Sequence, residues 1–135
     1  MSTHAVFVYG TLRIGGSNHF RMDGAKLIGR GTVRGKIYLI DENPEFLFPA
    51  LKLDNVGRVL GEVYRVSEAQ LIELDAFEGI SEHYEEPYEY RRVMAGLELE
   101  TGEHVNAWVW EWNSCLDGAK PLPQGDWLLY EPNPS

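Results

Sequence analysis

The sequence predicts an α+β domain, built as a small, partly closed and mostly antiparallel β-barrel with helices at its side. Three observations carry this. Most apolar stretches are short and rich in β-branched residues, or alternate with polar ones, as strands do. A single stretch, beginning at Ser67, has the spacing and both end signals of a firm helix. Glycines interrupt the longest strand candidate, where a sheet that curls on itself has to bend. The alternating strand–helix rhythm of a parallel α/β protein is missing.

In chain order, Ala5–Val8 is a short apolar run that reads as a buried strand. It leads straight into Gly10, where the backbone can take conformations closed to other residues. The amides of Gly10, Thr11 and Leu12 would then form a small anion-sized concavity at a tight turn, beside the cation of Arg13. Ile14–Asn18 is a glycine-rich loop, and Ser17 or Asn18 caps a short helix over His19–Gly24. Lys26–Ile40 is a long strand bent at Gly29, Gly31 and Gly35. Asp41–Asn55 reads as a loop held down by Phe46, Leu47, Phe48 and Leu51, with Pro49 a candidate cis residue. Val59–Val66 is a strand with Val59, Gly61, Val63 and Arg65 on one face and Leu60, Glu62, Tyr64 and Val66 on the other.

Ser67 and Gln70 then form a capping box, with Val66 and Leu71 at the two staple positions. The helix ends near Phe77 or Glu78, and Gly79 suits the left-handed residue that closes it. Ser81–Glu89 is a polar, acidic loop carrying Tyr84 and Tyr88. Tyr90–Glu100 and Glu103–Trp112 pair as a hairpin through Thr101-Gly102. Asn113–Gly125 is an irregular connection, Asp126–Tyr130 is a last strand or a packed tail, and Pro132–Ser135 frays.

At 135 residues the chain is of single-domain size, and its 44 % apolar content supports a packed core without staples. Twelve Lys and Arg against 21 Asp and Glu leave a net charge of −9. That balance repels phosphates, so neither nucleic acid nor an anionic membrane is an expected partner. One cysteine excludes an internal disulfide and a multi-cysteine zinc cluster, which suits a reducing cytoplasm. The apolar runs are shorter than a membrane span, and the first residues lack a signal-peptide core.

The helix holds the first chemical clue. At 100° per residue Leu71, Leu74 and Glu78 share one face. Leucines that point into the core bring Glu78 with them, unless the helix has already ended and Glu78 turns to water. A carboxylate on an apolar face is costly to ionise. The negative end of the helix dipole and the acidic loop that follows push the same way, so a raised pKa is expected. A glutamate poised nearer neutrality is suited to general acid–base work.

Seven stretches together resemble the γ-glutamylcyclotransferase-like superfamily. They are FVYGTLR (Phe7–Arg13), GTVRGKIY (Gly31–Tyr38), FPAL (Phe48–Leu51), VLGEVYRV (Val59–Val66), LDAFEG (Leu74–Gly79), YRRV (Tyr90–Val93) and NAWVW (Asn106–Trp110). They span nearly the whole chain in the expected order, and the chain is similar to small bacterial-type members and to γ-glutamylamine cyclotransferases. The resemblance implies a mixed barrel with flanking helices and a cavity at one mouth. It implies release of 5-oxoproline from a small γ-glutamyl compound, by attack of the substrate's own α-amine on its γ-carbonyl. It implies substrate binding by Tyr9, Gly10, Thr11 and Leu12, with Arg13 beside them, and acid–base catalysis by Glu78. Thr11 stands where many members have serine, which keeps the hydroxyl. A tyrosine from the strand after the acidic loop often reaches the pocket in this family, which suggests Tyr90, with Tyr84 or Tyr88 as substitutes. No metal, nucleotide or covalent nucleophile is required by that chemistry.

Other features carry less. Trp108, Trp110 and Trp112 alternate along one strand face, as core or pocket wall or as a stacking platform. Gly29–Gly35 fails the spacing of a dinucleotide fingerprint, and Gly15–His19 lacks the second glycine of a nucleophile elbow. His4, His19, His83 and His104 have no ligand-like spacing with each other or with Cys115. Two functions of different class are therefore in view: a cyclotransferase using Glu78, or a small-molecule binding module that keeps the cavity without turnover. A binding module has no need of a glutamate on the core face, which favours the enzyme.

Overall fold

The computed structural model describes residues 3–43, 46–81 and 86–130. Its six strands are β1 (Thr3–Val8), β2 (Lys26–Asn43), β3 (Phe46–Ser67), β4 (Tyr90–Leu99), β5 (His104–Trp112) and β6 (Lys120–Leu122), with one α-helix, α1 (Glu68–Phe77). The sheet runs β3-β1-β5-β4-β2-β6, and a further β2–β3 pairing closes the first five strands into a barrel. Among the described residues only the β1–β5 contact, at Val6 and Trp108, is parallel, so the barrel is mixed and mostly antiparallel.

The long strand bends where expected. The β2–β3 register slips at Leu27/Gly29 and at Arg34/Gly35, two of the three glycine positions. Gly31 serves differently: a side chain there would meet Glu98 O of β4 at 2.6 Å, so its smallness lets two strands close the barrel.

Within Asp41–Asn55, the described residues 41–43 and 46–55 are corrected from loop to strand. The β2–β3 ladder continues through Ile37↔Leu51, Tyr38↔Ala50, Leu39↔Pro49 and Ile40↔Phe48. Its Pro, Asn and Asp residues look like loop punctuation, but local propensity yields here to the pairing partner. The true interruption in β3 is Asp54–Gly57, where the Asp54 carboxylate accepts the amides of Val56 and Gly57, both at 2.8 Å. Among the described residues the cis peptide is Glu86–Pro87, not the bond before Pro49.

Three smaller expectations also change. The short helix over His19–Gly24 is a single 3₁₀ turn, His19–Met22, and Asn18 does not cap it with its side chain. A short strand, β6, lies within the stretch read as irregular, and the tail at Trp127–Leu129 is a packed 3₁₀ turn. Tyr84 and Pro132–Ser135 lie outside the described residues.

Two apolar layers result. Phe7, Ile37, Leu51, Val63, Val109 and Trp127 fill the barrel. Val6, Val8, Leu12, Val66, Trp110 and Trp112 pack on its outer wall against Leu71 and Leu74 of α1. Ser67 Oγ accepts the Gln70 amide at 3.1 Å, which is half of a capping box; the Gln70 side chain donates instead to the carbonyls of Arg21 and Asp23. No helix among the described residues is long and apolar enough to cross a membrane.

Candidate active site

The end of β1 continues through Tyr9 into a tight turn, in which the Arg13 amide donates to Gly10 O at 3.1 Å. Thr11 O accepts the Asn18 amide at 2.9 Å, and Thr11 Oγ1 accepts the Asn18 side chain at 3.1 Å, which ties down the glycine-rich loop. These bonds use the carbonyls of Gly10 and Thr11 and leave the amides of Gly10, Thr11 and Leu12 outside the turn's own hydrogen bonding. Gly10 does not have a positive φ. Its role is steric: a Cβ there would stand 2.4 Å from Pro49 Cγ, so only glycine lets β1 and β3 approach this closely.

Facing this turn is the end of α1. Gly79 has φ +84, its amide bonds to Ala76 O at 3.0 Å, and the Ile80 amide bonds to Asp75 O at 2.8 Å. This is the paired closure of a Schellman cap, with Glu78 as the last half-helical residue. Leu71 and Leu74 are buried on the core face. The cap holds Glu78 half-buried on the same side instead of releasing it to water.

A cavity of about 500 Å³ lies between the two elements. Its walls include Tyr9, Gly10, Thr11, Leu12, Glu78 and Tyr90, all singled out in the sequence. Arg13 is the exception. Its guanidinium turns away and is paired with Glu62 (Nε–Oε2 2.6 Å) and Asp126 (2.7 Å), so the expectation that it stands beside a substrate anion is corrected. A buried carboxylate within 3 Å claims an arginine before any ligand can. Tyr88 does not line the cavity either. Ser17, Asn18, Pro49 and Glu89 do, and were not anticipated. The loop at Ser17–Asn18 showed its glycines, but only the fold reveals that it curls back over the turn.

The cavity disfavours negative charge. Burial, then the neighbouring Asp75 carboxylate, raises the Glu78 pKa from 4.5 to about 8. The direction agrees with the expectation from sequence, with the charge contribution coming from one turn back on the same helix. Burial and the charge of Glu78 also push the Tyr9 hydroxyl well above 10, against the pull of a Leu51 amide. Tyr90 is raised likewise, by burial and then by Tyr9, Glu78 and Glu89. Each tyrosine is pinned by its hydroxyl: Tyr9 Oη donates to Trp110 O at 2.7 Å, and Tyr90 Oη donates to Pro49 O. Trp110 is a cavity wall and Trp112 is core, with its indole donating to Cys115 O.

Residues 6–129 match the family model of gamma-glutamyl cyclotransferase, AIG2-like, and the chain belongs to that family. Among its relatives is the gamma-glutamylcyclotransferase family protein YtfP of Escherichia coli K12. The two are 32 % identical over 124 residues, which is 91 % of this chain and 95 % of the relative. The Bos taurus gamma-glutamylaminecyclotransferase is 42 % identical over 88 residues, covering 59 % of this chain and 51 % of the bovine one. The fold agrees. An AIG2-like protein from Mus musculus superposes with a TM-score of 0.69 at 28 % identity, covering 98 % of this chain and 86 % of the mouse chain.

Proposed function

We propose that this protein is a γ-glutamyl cyclotransferase that releases 5-oxoproline from a γ-glutamyl amine or peptide, with Glu78 as general acid and base. The observation that carries the reading is that Glu78 and the turn residues Gly10, Thr11 and Leu12 line one cavity. Around Glu78 the described lining residues include no Lys, Arg or His to hold its charge.

In this reading the ionised Glu78 takes a proton from the substrate α-ammonium, which is no nucleophile until it loses one. The freed amine attacks the γ-carbonyl, and a new C–N bond closes the five-membered lactam. The protonated Glu78 returns the proton to the departing nitrogen as the old C–N bond breaks, then takes the second proton shed by the new ring nitrogen and passes it to the released amine. The amides of Gly10, Thr11 and Leu12 either anchor the α-carboxylate or steady the developing oxyanion. Because the attack is intramolecular, holding the substrate folded supplies much of the acceleration. A carboxyl with a pKa of about 8 is roughly one-tenth ionised at pH 7, enough to start the reaction and well placed to finish it. The bovine relative's name supports an amine as one leaving group.

The test is mass-spectrometric detection of 5-oxoproline from γ-glutamyl amines, γ-glutamyl dipeptides, glutathione and γ-glutamyl-ε-lysine. Glu78→Gln is expected to lose about two to four decades of rate, the usual cost of removing an acid–base group. Retained activity in that variant removes Glu78 from the mechanism. Binding without turnover by the wild type leaves a binding module.

A further inference from the structure

Trp110, on β5, reaches both halves of the cavity. Its carbonyl accepts the Tyr9 hydroxyl at 2.7 Å, and Tyr9 is joined directly to the Gly10–Leu12 turn. Its indole Nε1 donates to Asp75 Oδ1 at 2.9 Å, and Asp75 lies one helical turn before Glu78. The same Asp75 oxygen is 2.9 Å from Arg92 Nε on β4, and the Arg92 guanidinium lies 4.4 Å from the Trp108 ring centre. The Asp75 carbonyl meanwhile accepts the Ile80 amide in the helix cap. The turn and the helix end are therefore fastened to one buried residue of one barrel strand.

We propose that Trp110 is a positioning residue, whose carbonyl and indole N–H together set the span between the amide turn and the Glu78 carboxyl. The proposal rests on the reading of Glu78 as acid and base. A misplacement of about 1 Å across a reacting pair can cost a hundredfold in rate, so a rigid strut across the cavity has a catalytic consequence. Asp75 has a second part in the arrangement. Fixed by Trp110 and Arg92, its carboxylate stays near Glu78, where it opposes ionisation. Among the described residues, the other titratable groups around Glu78 are Tyr9 just after β1, Tyr90 on β4 and Glu89 just before it.

The test compares three variants. Trp110→Phe keeps the backbone carbonyl and an aromatic ring but deletes the indole donor. It is expected to lower kcat about 10- to 100-fold while KM changes less than about threefold. Trp112→Phe deletes an indole donor that serves only Cys115 O, and is expected to move Tm without lowering kcat. Asp75→Asn keeps an oxygen for the indole and removes the charge. It is expected to move the acidic limb of the kcat profile to lower pH, with a smaller loss at its optimum than Trp110→Phe.

The Glu78 carboxyl is also titrated by ¹³C NMR in labelled protein, with Glu78→Gln identifying its resonance. The wild-type midpoint is expected near 8, and the Trp110→Phe midpoint lower, because a loosened helix end admits water. Wild-type kcat and an unmoved Glu78 midpoint in Trp110→Phe overturn the proposal. So does a kcat loss matched by Trp112→Phe. If Glu78→Gln stays active, the acid–base reading fails, and the NMR midpoint alone then decides whether Trp110 holds the helix end.

Discussion

Glu62 and Glu78 are two glutamates drawn out of bulk water by the same barrel, and they serve opposite ends. Glu62 is 2 % exposed and fully compensated: one oxygen takes Arg13 Nε at 2.6 Å, and the other takes the Ile14 amide at 2.7 Å. Its charge is neutralised in place, and what it contributes is the anchoring of the chain just behind the cavity turn. Glu78 sits on the cavity wall, with Asp75 as its nearest charged influence and no ion pair among the described residues. Burial without a compensating cation raises the Glu78 pKa to about 8, and the proposed part of Glu78 in proton transfer depends on that. Glu111 follows the first pattern, accepting from Arg91 and from the Leu53 amide.

That contrast can be broken most sharply at Glu78. Beyond the expected collapse of turnover in Glu78→Gln, the same substitution should stabilise the fold at alkaline pH. The folded pKa of about 8 lies above the ordinary 4.5, so the folded state holds the proton more tightly. Stability attributable to Glu78 is thus fully present below about pH 4.5 and is lost as pH rises through 8. Thermal melts of wild type and Glu78→Gln should coincide near pH 4 and separate by pH 9, with the variant higher. Equal melts at pH 9 would mean the carboxyl is hydrated.

The paired glutamate should behave in the reverse sense. Glu62→Ala leaves Arg13 buried beside a gap, and removing one partner of such a pair costs about 3–5 kcal/mol in urea unfolding. Combining Arg13→Met with Glu62→Leu should recover much of that loss, because the two effects are coupled. Activity should track the folded fraction, since Arg13 does not line the cavity. A large KM effect of Arg13→Met in fully folded protein would restore it to substrate binding.

Smaller effects sharpen the two approaches to the cavity. Gly10→Ala forces a methyl group against Pro49 and should cost about 1–3 kcal/mol, with a raised KM from the displaced turn. Ser67→Ala removes the cap that starts α1, at a cost of about 1 kcal/mol and with kcat retained. Both follow from denaturant curves combined with steady-state kinetics.

Much of this was legible beforehand, for local reasons. The Ser67 cap, the leucine spacing of α1 and the left-handed Gly79 are short-range signals, and they end the helix at Glu78, which is half-buried on the cavity wall. The alternation of Trp108, Trp110 and Trp112 placed the three on one strand face. A loop is the local reading of Asp41–Asn55 because the strand character of its described part comes from cross-strand pairing between β2 and β3, which the local sequence does not display. Arg13 was misread for the same reason: its partners are 49 and 113 residues away.

Sequence alone determined the helix, its end and the residue types available for proton transfer, because caps, periodicity and side-chain chemistry act over a few residues. Tertiary structure decided which charges cancel. Pairing Glu62 with Arg13 while leaving Glu78 beside the amide turn takes barrel closure, since Coulomb energy and desolvation depend on distance in space and not along the chain.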